Sequence, residues 1–214
     1  MNNMGSKRNY PEIRIKDAWL LRQNTSIHLH ELWAKEGERL ADDDEMEHIV
    51  SAYREAWTPY EKKIIHGMCG LLDLEFRQNI IDVNIAPWFY AFSDPMVIGV
   101  TYKPDRFVEV LTHELIHRLL TDNTQTAYDT LYANEWKRLF GADHTFGALV
   151  HIPVHAIMQG VFDDALDEPE RTINDREACR KWEDYDVAWR YVEEHGYKWV
   201  VDQLRVNYKQ LQKA

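Results

Sequence analysis

The sequence predicts an α+β fold that is mostly helical, with a small β-sheet in the middle of the chain. Two observations carry this prediction. Most of the chain spaces its apolar residues as amphipathic helices do, whereas residues 81–85 and 96–102 alternate apolar and polar side chains, as half-buried strands do. At 214 residues, 45% of them hydrophobic, the chain is long enough for one domain with a substantial core. We therefore expect a single domain over residues 1–214.

Two helices are predicted before the strands. From Asp42 to Trp57 the apolar residues follow helical spacing, with acidic residues in the first turn. Thr58-Pro-Tyr-Glu61 matches a capping box with proline at the first helical position, so a second helix is expected to begin there. The two strands are expected to pair, with a turn region at 88–95 between them. The first forty residues show no clear pattern.

The chain after the strands is predicted to be helical. A helix begins at Pro104 and Asp105, directly after the second strand, and another fits from about residue 125 to 140. A further helix is expected to begin at His151-Ile-Pro-Val-His155, because proline is tolerated in the first turn of a helix. A long helix is predicted from Asn174 to Gly196, followed by a last one. The buried stripe of the long helix is expected to be Ala178, Trp182, Tyr185, Trp189 and Val192. The C-terminal part from about residue 174 is thus expected to be helical.

Charge and cysteine content restrict the function classes. A net charge of −11 disfavours nucleic acid and anionic membranes as partners, because neither would be attracted to the surface as a whole. The two cysteines, Cys69 and Cys179, lie far apart without metal-type spacing, which is typical of a reducing compartment. The first residues lack the apolar core of a signal peptide, and no long apolar run could span a membrane. We therefore expect a cytoplasmic protein.

The segment from Val110 to Leu119 carries the strongest functional signal, because it contains the run His113-Glu114-Leu115-Ile116-His117. On a helix the two histidines lie one turn apart on the same face, so both imidazoles can bind one Zn²⁺ while Glu114 reaches a water molecule on the metal. The surrounding helix is apolar nearly all round and should be buried. Metal coordination would relieve the cost of burying these polar groups.

This segment resembles the active-site helix of the zincin metallopeptidases. Their extended pattern has Val or Thr three residues before the motif and a hydrophobic residue two after it, and Val110 and Leu119 comply. Arg118 departs from the pattern, since that position is usually uncharged. The resemblance implies a hydrolase that cleaves peptide bonds with one Zn²⁺, two histidine ligands and Glu114 as the general base.

The third metal ligand is predicted to be Glu135. This carboxylate falls within an apolar stripe on the helix after the motif, where a buried acid needs a cation or several donors. Asn134-Glu135 begins seventeen residues after His117, which is similar to the gluzincins, where the third ligand is a Glu of an Asn-Glu pair. Leu139 stands where thermolysin-like enzymes have an acid, so no narrower family is indicated. The other candidates for this position are His151, His155, His144 and Asp129.

A hydrogen-bond donor to the oxyanion is also expected. The resemblance implies a His or Tyr downstream of the third ligand, and His151 is the candidate taken forward. The alternatives that stay open are His155, Tyr128 and Tyr132. A peptide or protein substrate is expected to pair with one of the two predicted strands by β-augmentation.

Other functions are compatible with the same residues. The first alternative is a non-catalytic regulatory or interaction protein that keeps the zinc for structure. The second is a hydrolase of non-peptide amides, although the Gly-rich and Cys-containing signatures of peptide deformylases are absent. The third is a helical interaction protein without metal.

Overall fold

The computed structural model describes residues 10–24, 41–87, 90–124 and 131–211, with the side chains of residues 131–133 excepted. The chain divides into two compact units. One contains Pro11–Glu61 and Ile80–Glu114 and is called the sheet unit here. The other, called the helical unit, contains Tyr10, Lys62–Asn79 and the described residues from Leu115 to Leu211. The predicted α+β class, with most residues helical and a small sheet preceding the motif helix, is confirmed.

The sheet has four strands, β1 (Glu12–Asp17), β2 (Ile80–Ala86), β3 (Phe92–Ser93) and β4 (Met96–Gly99). Their order is β1-β2-β4-β3; β2 runs parallel to both β1 and β4, whereas β3 is antiparallel to β4. The two predicted strands therefore do pair. Each has neighbours on both sides over only part of its length, because β4 pairs with β2 at three residues and with β3 at two. The pairing of one of them with an extended substrate stays a prediction.

Strand β1 was not predicted. Its sequence alternates charged residues with only two isoleucines, Ile13 and Ile15, which are buried while Glu12 and Arg14 are exposed. Two apolar residues make a weak period-2 signal, and a parallel partner almost seventy residues away cannot be read from a local pattern. β4 also ends at Gly99 instead of residue 102, because the chain turns there.

Residues 19–24 are helical. The helix predicted after them, called α1 here (Asp43–Trp57), is as predicted. Asp42 accepts a hydrogen bond from the backbone amide of Glu45, whose side chain bonds back to the Asp42 amide, so the helix begins with a full capping box. The next helix, α2, spans Glu61–Leu72. A third helix, α3 (Pro104–Asp122), begins in the sheet unit and ends in the helical unit.

The helical unit continues with a π-helical turn, Leu131–Trp136, that leads into the short α4 (Lys137–Phe140). Residues 125–130 of the helix predicted here lie outside the described residues. The remaining elements are α5 (Phe146–Gly160), a π-helical segment (Val161–Leu166), α6 (Pro169–Cys179), α7 (Glu183–His195) and α8 (Tyr197–Leu211). Among the described residues no helix is both long and apolar enough to cross a membrane.

Three helix boundaries differ from the predictions. Helix α2 begins at Glu61 and not at the predicted capping box, because Thr58 ends α1 and its hydroxyl donates to the carbonyl oxygen of Arg54. Helix α5 begins five residues before His151, because Thr145 caps the amide of Ala148, and Pro153 therefore lies in the middle of the helix, not in its first turn. The helix predicted from Asn174 to Gly196 is two helices, α6 and α7, since Trp182 has an extended backbone that ends the helical path. Trp182 is also 46% exposed, although it was placed on the buried stripe.

Candidate metal centre

Helix α3 is continuous from Pro104 to Asp122, and the histidine motif lies within it. His113, Glu114 and His117 are each 7% exposed, and the flanking Leu115 and Ile116 are fully buried. The predicted burial of this helix is therefore confirmed. Because the helix is continuous, the two imidazoles lie one turn apart, as their spacing requires.

The structure adds a third imidazole to this pair. The ligand atoms of His113, His117 and His151 lie within 4.8 Å of one another. His151 comes from α5, and its ring centroid is 5.3 Å from that of His117, with the ring planes almost perpendicular at 85°. Three such nitrogens form a cluster that can hold one metal ion.

A backbone contact determines which nitrogen His151 offers. Its Nδ1 lies 2.7 Å from the carbonyl oxygen of Gly147. A carbonyl oxygen only accepts hydrogen bonds, so Nδ1 carries the proton and Nε2 keeps the lone pair when the ring is neutral. This is the arrangement typical of metal-binding histidines, in which the second ring nitrogen donates to a backbone carbonyl.

Burial keeps the cluster uncharged. It lowers the pKa of His117 to about 3, with a smaller contribution from the nearby His151, and it lowers the pKa of His151 as well. Both rings are therefore neutral at pH 7, which is the form that binds metals. Burial also raises the pKa of Glu114 to about 8, so without a cation nearby this carboxyl group holds its proton at neutral pH.

The N-terminal end of α7 supports His151. The Tyr185 ring packs on the imidazole with the ring centroids 3.9 Å apart. The neighbouring Asp184 accepts a hydrogen bond from Thr145 at 2.5 Å and helps to raise the pKa of His151 against the effect of burial. A Cβ atom on Gly147 would overlap Oδ2 of Asp184 and lie 2.9 Å from its Cβ, so a larger residue at position 147 would force the Asp184 side chain to move.

Sequence reasoning missed these supporting residues. The sequence predicts Tyr185 on the buried stripe of a helix, but helical spacing does not identify the residue against which it packs. Contact between α5 and α7 depends on tertiary packing, and neither Gly147 nor Asp184 belongs to a recognisable motif.

Glu135 is placed differently from the histidines. It lies on the π-helical turn, and its carboxylate forms an ion pair with Arg138 at 3.0 Å. Arg138 also donates to the side-chain oxygen of Asn207 at 2.5 Å. Glu135 is not among the residues whose ligand atoms form the three-histidine group. The structure thus brings His151 to the motif histidines and does not bring Glu135 to them.

Of the other residues predicted as a third ligand or oxyanion donor, those that the structure describes are not part of the three-histidine group. His155 belongs to a second group of possible ligands with Asp175 and Cys179. His144 packs edge-on against Tyr191, with ring centroids 5.4 Å apart. Three further candidates lie outside the described residues or have undescribed side chains: Tyr128, Asp129 and Tyr132.

The donor set fits a divalent transition metal. Imidazole nitrogens are borderline-soft ligands, and a three-histidine set that leaves one coordination position open is typical of catalytic zinc. Comparison of the chain with models of protein families, with curated proteins and with solved structures finds no match.

Proposed function

We propose that the protein is a zinc-dependent metallopeptidase in which His113, His117 and His151 hold the metal. One observation carries the proposal: a third histidine, distant in sequence, lies against the two motif histidines on a buried helix. His151, which the sequence offered as an oxyanion donor, is thereby proposed as a ligand in place of Glu135. The resemblance to zincins supports the metal and the chemistry, but a three-histidine set departs from the gluzincin pattern.

Glu114 is proposed as the general base. A bound zinc ion supplies Lewis-acid polarisation of water and of the scissile carbonyl. Its positive charge would also lower the pKa of Glu114 from about 8, so that the carboxylate is ionised at neutral pH. Glu114 then accepts one proton from the attacking water and delivers it to the leaving amine as the C–N bond breaks.

Tyr102 is a candidate for the oxyanion donor. Burial raises the pKa of its hydroxyl, the charge of Arg106 opposes this rise, and the charge of Glu114 adds to it. Tyr102 lies two residues before the helix that carries the motif. A raised pKa keeps the hydroxyl protonated at neutral pH, and a protonated hydroxyl can donate a hydrogen bond to the oxygen that gains charge in the transition state.

We further propose that the substrate is a peptide or protein and that the enzyme acts in the cytoplasm. Both cysteines are buried thiols, which supports a reducing compartment. The net charge of −11 supports a partner other than nucleic acid or an anionic membrane.

The proposal is tested by measuring hydrolysis of a peptide library by the zinc-loaded protein and by the variant Glu114→Gln. We expect the variant to keep its zinc and to lose at least about 100-fold in rate, the usual contribution of a positioned general base. Glu109→Gln is the matched control, because Glu109 lies on the same helix, is also buried and is ion-paired with Arg106. Full activity of Glu114→Gln would contradict the proposal. Absence of any turnover by the zinc-loaded parent would instead indicate a non-catalytic zinc protein.

A further inference from the structure

A second group of metal-ligand residues lies within the helical unit. Single ligand atoms of His155, Asp175 and Cys179 lie within 4.8 Å of one another. All three side chains are at least 98% buried. None of them belongs to the three-histidine group, and none has a role in the proposed hydrolysis.

The three residues come from two helices that hold them rigidly. Asp175 and Cys179 are four residues apart on α6 and therefore share one face of that helix. His155 lies on α5, one turn after His151. The ring of His155 stacks on Trp189 of α7, with centroids 4.4 Å apart and planes within 10°, so its orientation is fixed by packing.

The distances suit coordination. The Cys179 sulfur lies 3.6 Å from Oδ2 of Asp175. In a tetrahedral zinc site, metal–sulfur and metal–oxygen bonds of ordinary length place the two ligand atoms about 3.5 Å apart. The Trp189 indole donates to the same Asp175 oxygen at 3.2 Å. Such an outer hydrogen bond is typical of carboxylates that bind metals.

Charge balance favours a divalent cation. The Asp175 carboxylate and the Cys179 thiolate each carry one negative charge, and a neutral His155 carries none. A bound M²⁺ ion would therefore leave the group with no net charge, which lowers the cost of keeping these ligands away from water. The mixture of imidazole, carboxylate and thiolate selects a borderline metal such as zinc over magnesium or calcium.

We propose that His155, Asp175 and Cys179 form a second transition-metal site that binds Zn²⁺ and connects α5 to α6. In this site the Cys179 thiol releases its proton on metal binding, and the fourth position is taken by a small ligand such as water. The site is structural, because its three ligands are buried and none of them takes part in the proposed hydrolysis. The rings of His155 and His151 are neighbours, with centroids 5.8 Å apart.

Cobalt substitution separates the two sites, because only the second contains sulfur. The full-length protein is stripped of metal and titrated with Co²⁺ and, separately, with Zn²⁺. We expect two metal ions per chain and a thiolate-to-cobalt charge-transfer absorption in the near ultraviolet. Cys69→Ala leaves Cys179 as the only thiol of the chain, so the absorption should persist in that variant. It should be lost in Cys179→Ser, which should bind one ion fewer.

The outcomes distinguish this site from the proposed catalytic one. His113→Ala should lose one metal ion and keep the thiolate absorption, even if no peptidase activity is ever found. Absence of the absorption from both the parent and Cys69→Ala would overturn the proposal and leave a metal-free hydrogen-bonded network. Persistence of the absorption in Cys179→Ser would also overturn it. If Cys179→Ser does not fold, the Cys69→Ala spectrum alone decides.

Discussion

Among single residues, the state of each imidazole determines whether the histidine cluster can bind a metal. Burial keeps His117 and His151 neutral, and the contact with the Gly147 carbonyl places the proton of His151 on Nδ1 and its lone pair on Nε2. His113 and His117 could be predicted from the sequence, because their spacing on one helix is a local property. His151 could only be one of several candidates, because its contact with His117 depends on how α3 and α5 pack.

The first prediction concerns the third ligand. His151→Ala should weaken zinc binding by more than about 100-fold, because loss of a ligand costs at least as much as loss of a residue that merely orients one. Glu135→Ala should bind zinc as the parent does, since the Glu135 carboxylate is paired with Arg138. Competition with a chromophoric chelator measures both affinities. If Glu135→Ala lost more zinc affinity than His151→Ala, Glu135 and not His151 would be the third ligand.

The second prediction concerns pH. The pKa of Glu114 is about 8 in the folded metal-free protein, against an ordinary value of 4.5 for a glutamate carboxyl group. Below pH 4.5 the Glu114 carboxyl group is protonated in both the folded and the unfolded protein. Between pH 4.5 and 8 it is protonated in the folded protein and ionised in the unfolded chain, so its contribution to the free energy of unfolding falls as the pH rises. The linkage slope is at most about 1.4 kcal/mol per pH unit.

The variant Glu114→Gln is needed to isolate the Glu114 contribution, because His117 changes stability with pH in the opposite direction. The His117 pKa is depressed to about 3, so its contribution to stability rises as pH increases from about 3 to 6.5. Urea unfolding of the chelated proteins at pH 5, 6 and 7 should give a slope of stability against pH that is lower in the parent than in Glu114→Gln, in which the rise due to His117 is no longer opposed. Identical pH dependences would refute the assignment of a raised pKa to Glu114.

Among the elements, α5 contributes most to the site. It carries His151 and His155 one turn apart and begins at the Thr145 cap. The predicted start at His151 is wrong, because it was based on the preference of proline for the first turn of a helix, whereas Pro153 lies in the middle of α5. The Thr145 cap was visible in the sequence but had no capping-box partner to distinguish it from other threonines.

The third prediction tests the approach of α5 to α7. Gly147→Ala should displace the Asp184 carboxylate and lower stability by about 1–3 kcal/mol, the usual cost of overpacking. Zinc affinity should fall as well, because His151 lies one turn further along the helix. Gly160→Ala is the control on the same helix: its Cβ would meet a flexible Leu71 methyl group at 2.8 Å, so a smaller effect is expected. Calorimetry and metal titration measure both, and equal effects would argue against a special role for Gly147.

For the molecule as a whole, the sequence was sufficient for the fold class and insufficient for the strand pairings. Alternation identified β2 and β4, and helical periodicity identified most of the helices, because both patterns are local. The parallel pairing of β1 with β2 joins residues that are distant in sequence. The break between α6 and α7 was missed because apolar spacing continues across it.

The fourth prediction concerns metal and global stability. A ligand that binds only the folded state stabilises it by about 4 kcal/mol at 1,000 times its dissociation constant. Added zinc should therefore raise the unfolding temperature of the parent, and His117→Ala should reduce this rise. His48→Ala is the control, because His48 is exposed on α1. A rise of the same size in His117→Ala and the parent would mean that the histidine motif does not bind the metal.

The central claim, that three histidines hold one zinc ion beside Glu114, is tested most directly by diffraction from crystals of the zinc-loaded protein. Anomalous scattering at the zinc absorption edge locates the metal independently of any activity. We predict a peak within bonding distance, about 2.0–2.1 Å, of one nitrogen from each of His113, His117 and His151. The His151 nitrogen should be Nε2. A peak bound by Glu135, or no peak on the motif histidines, would contradict the claim.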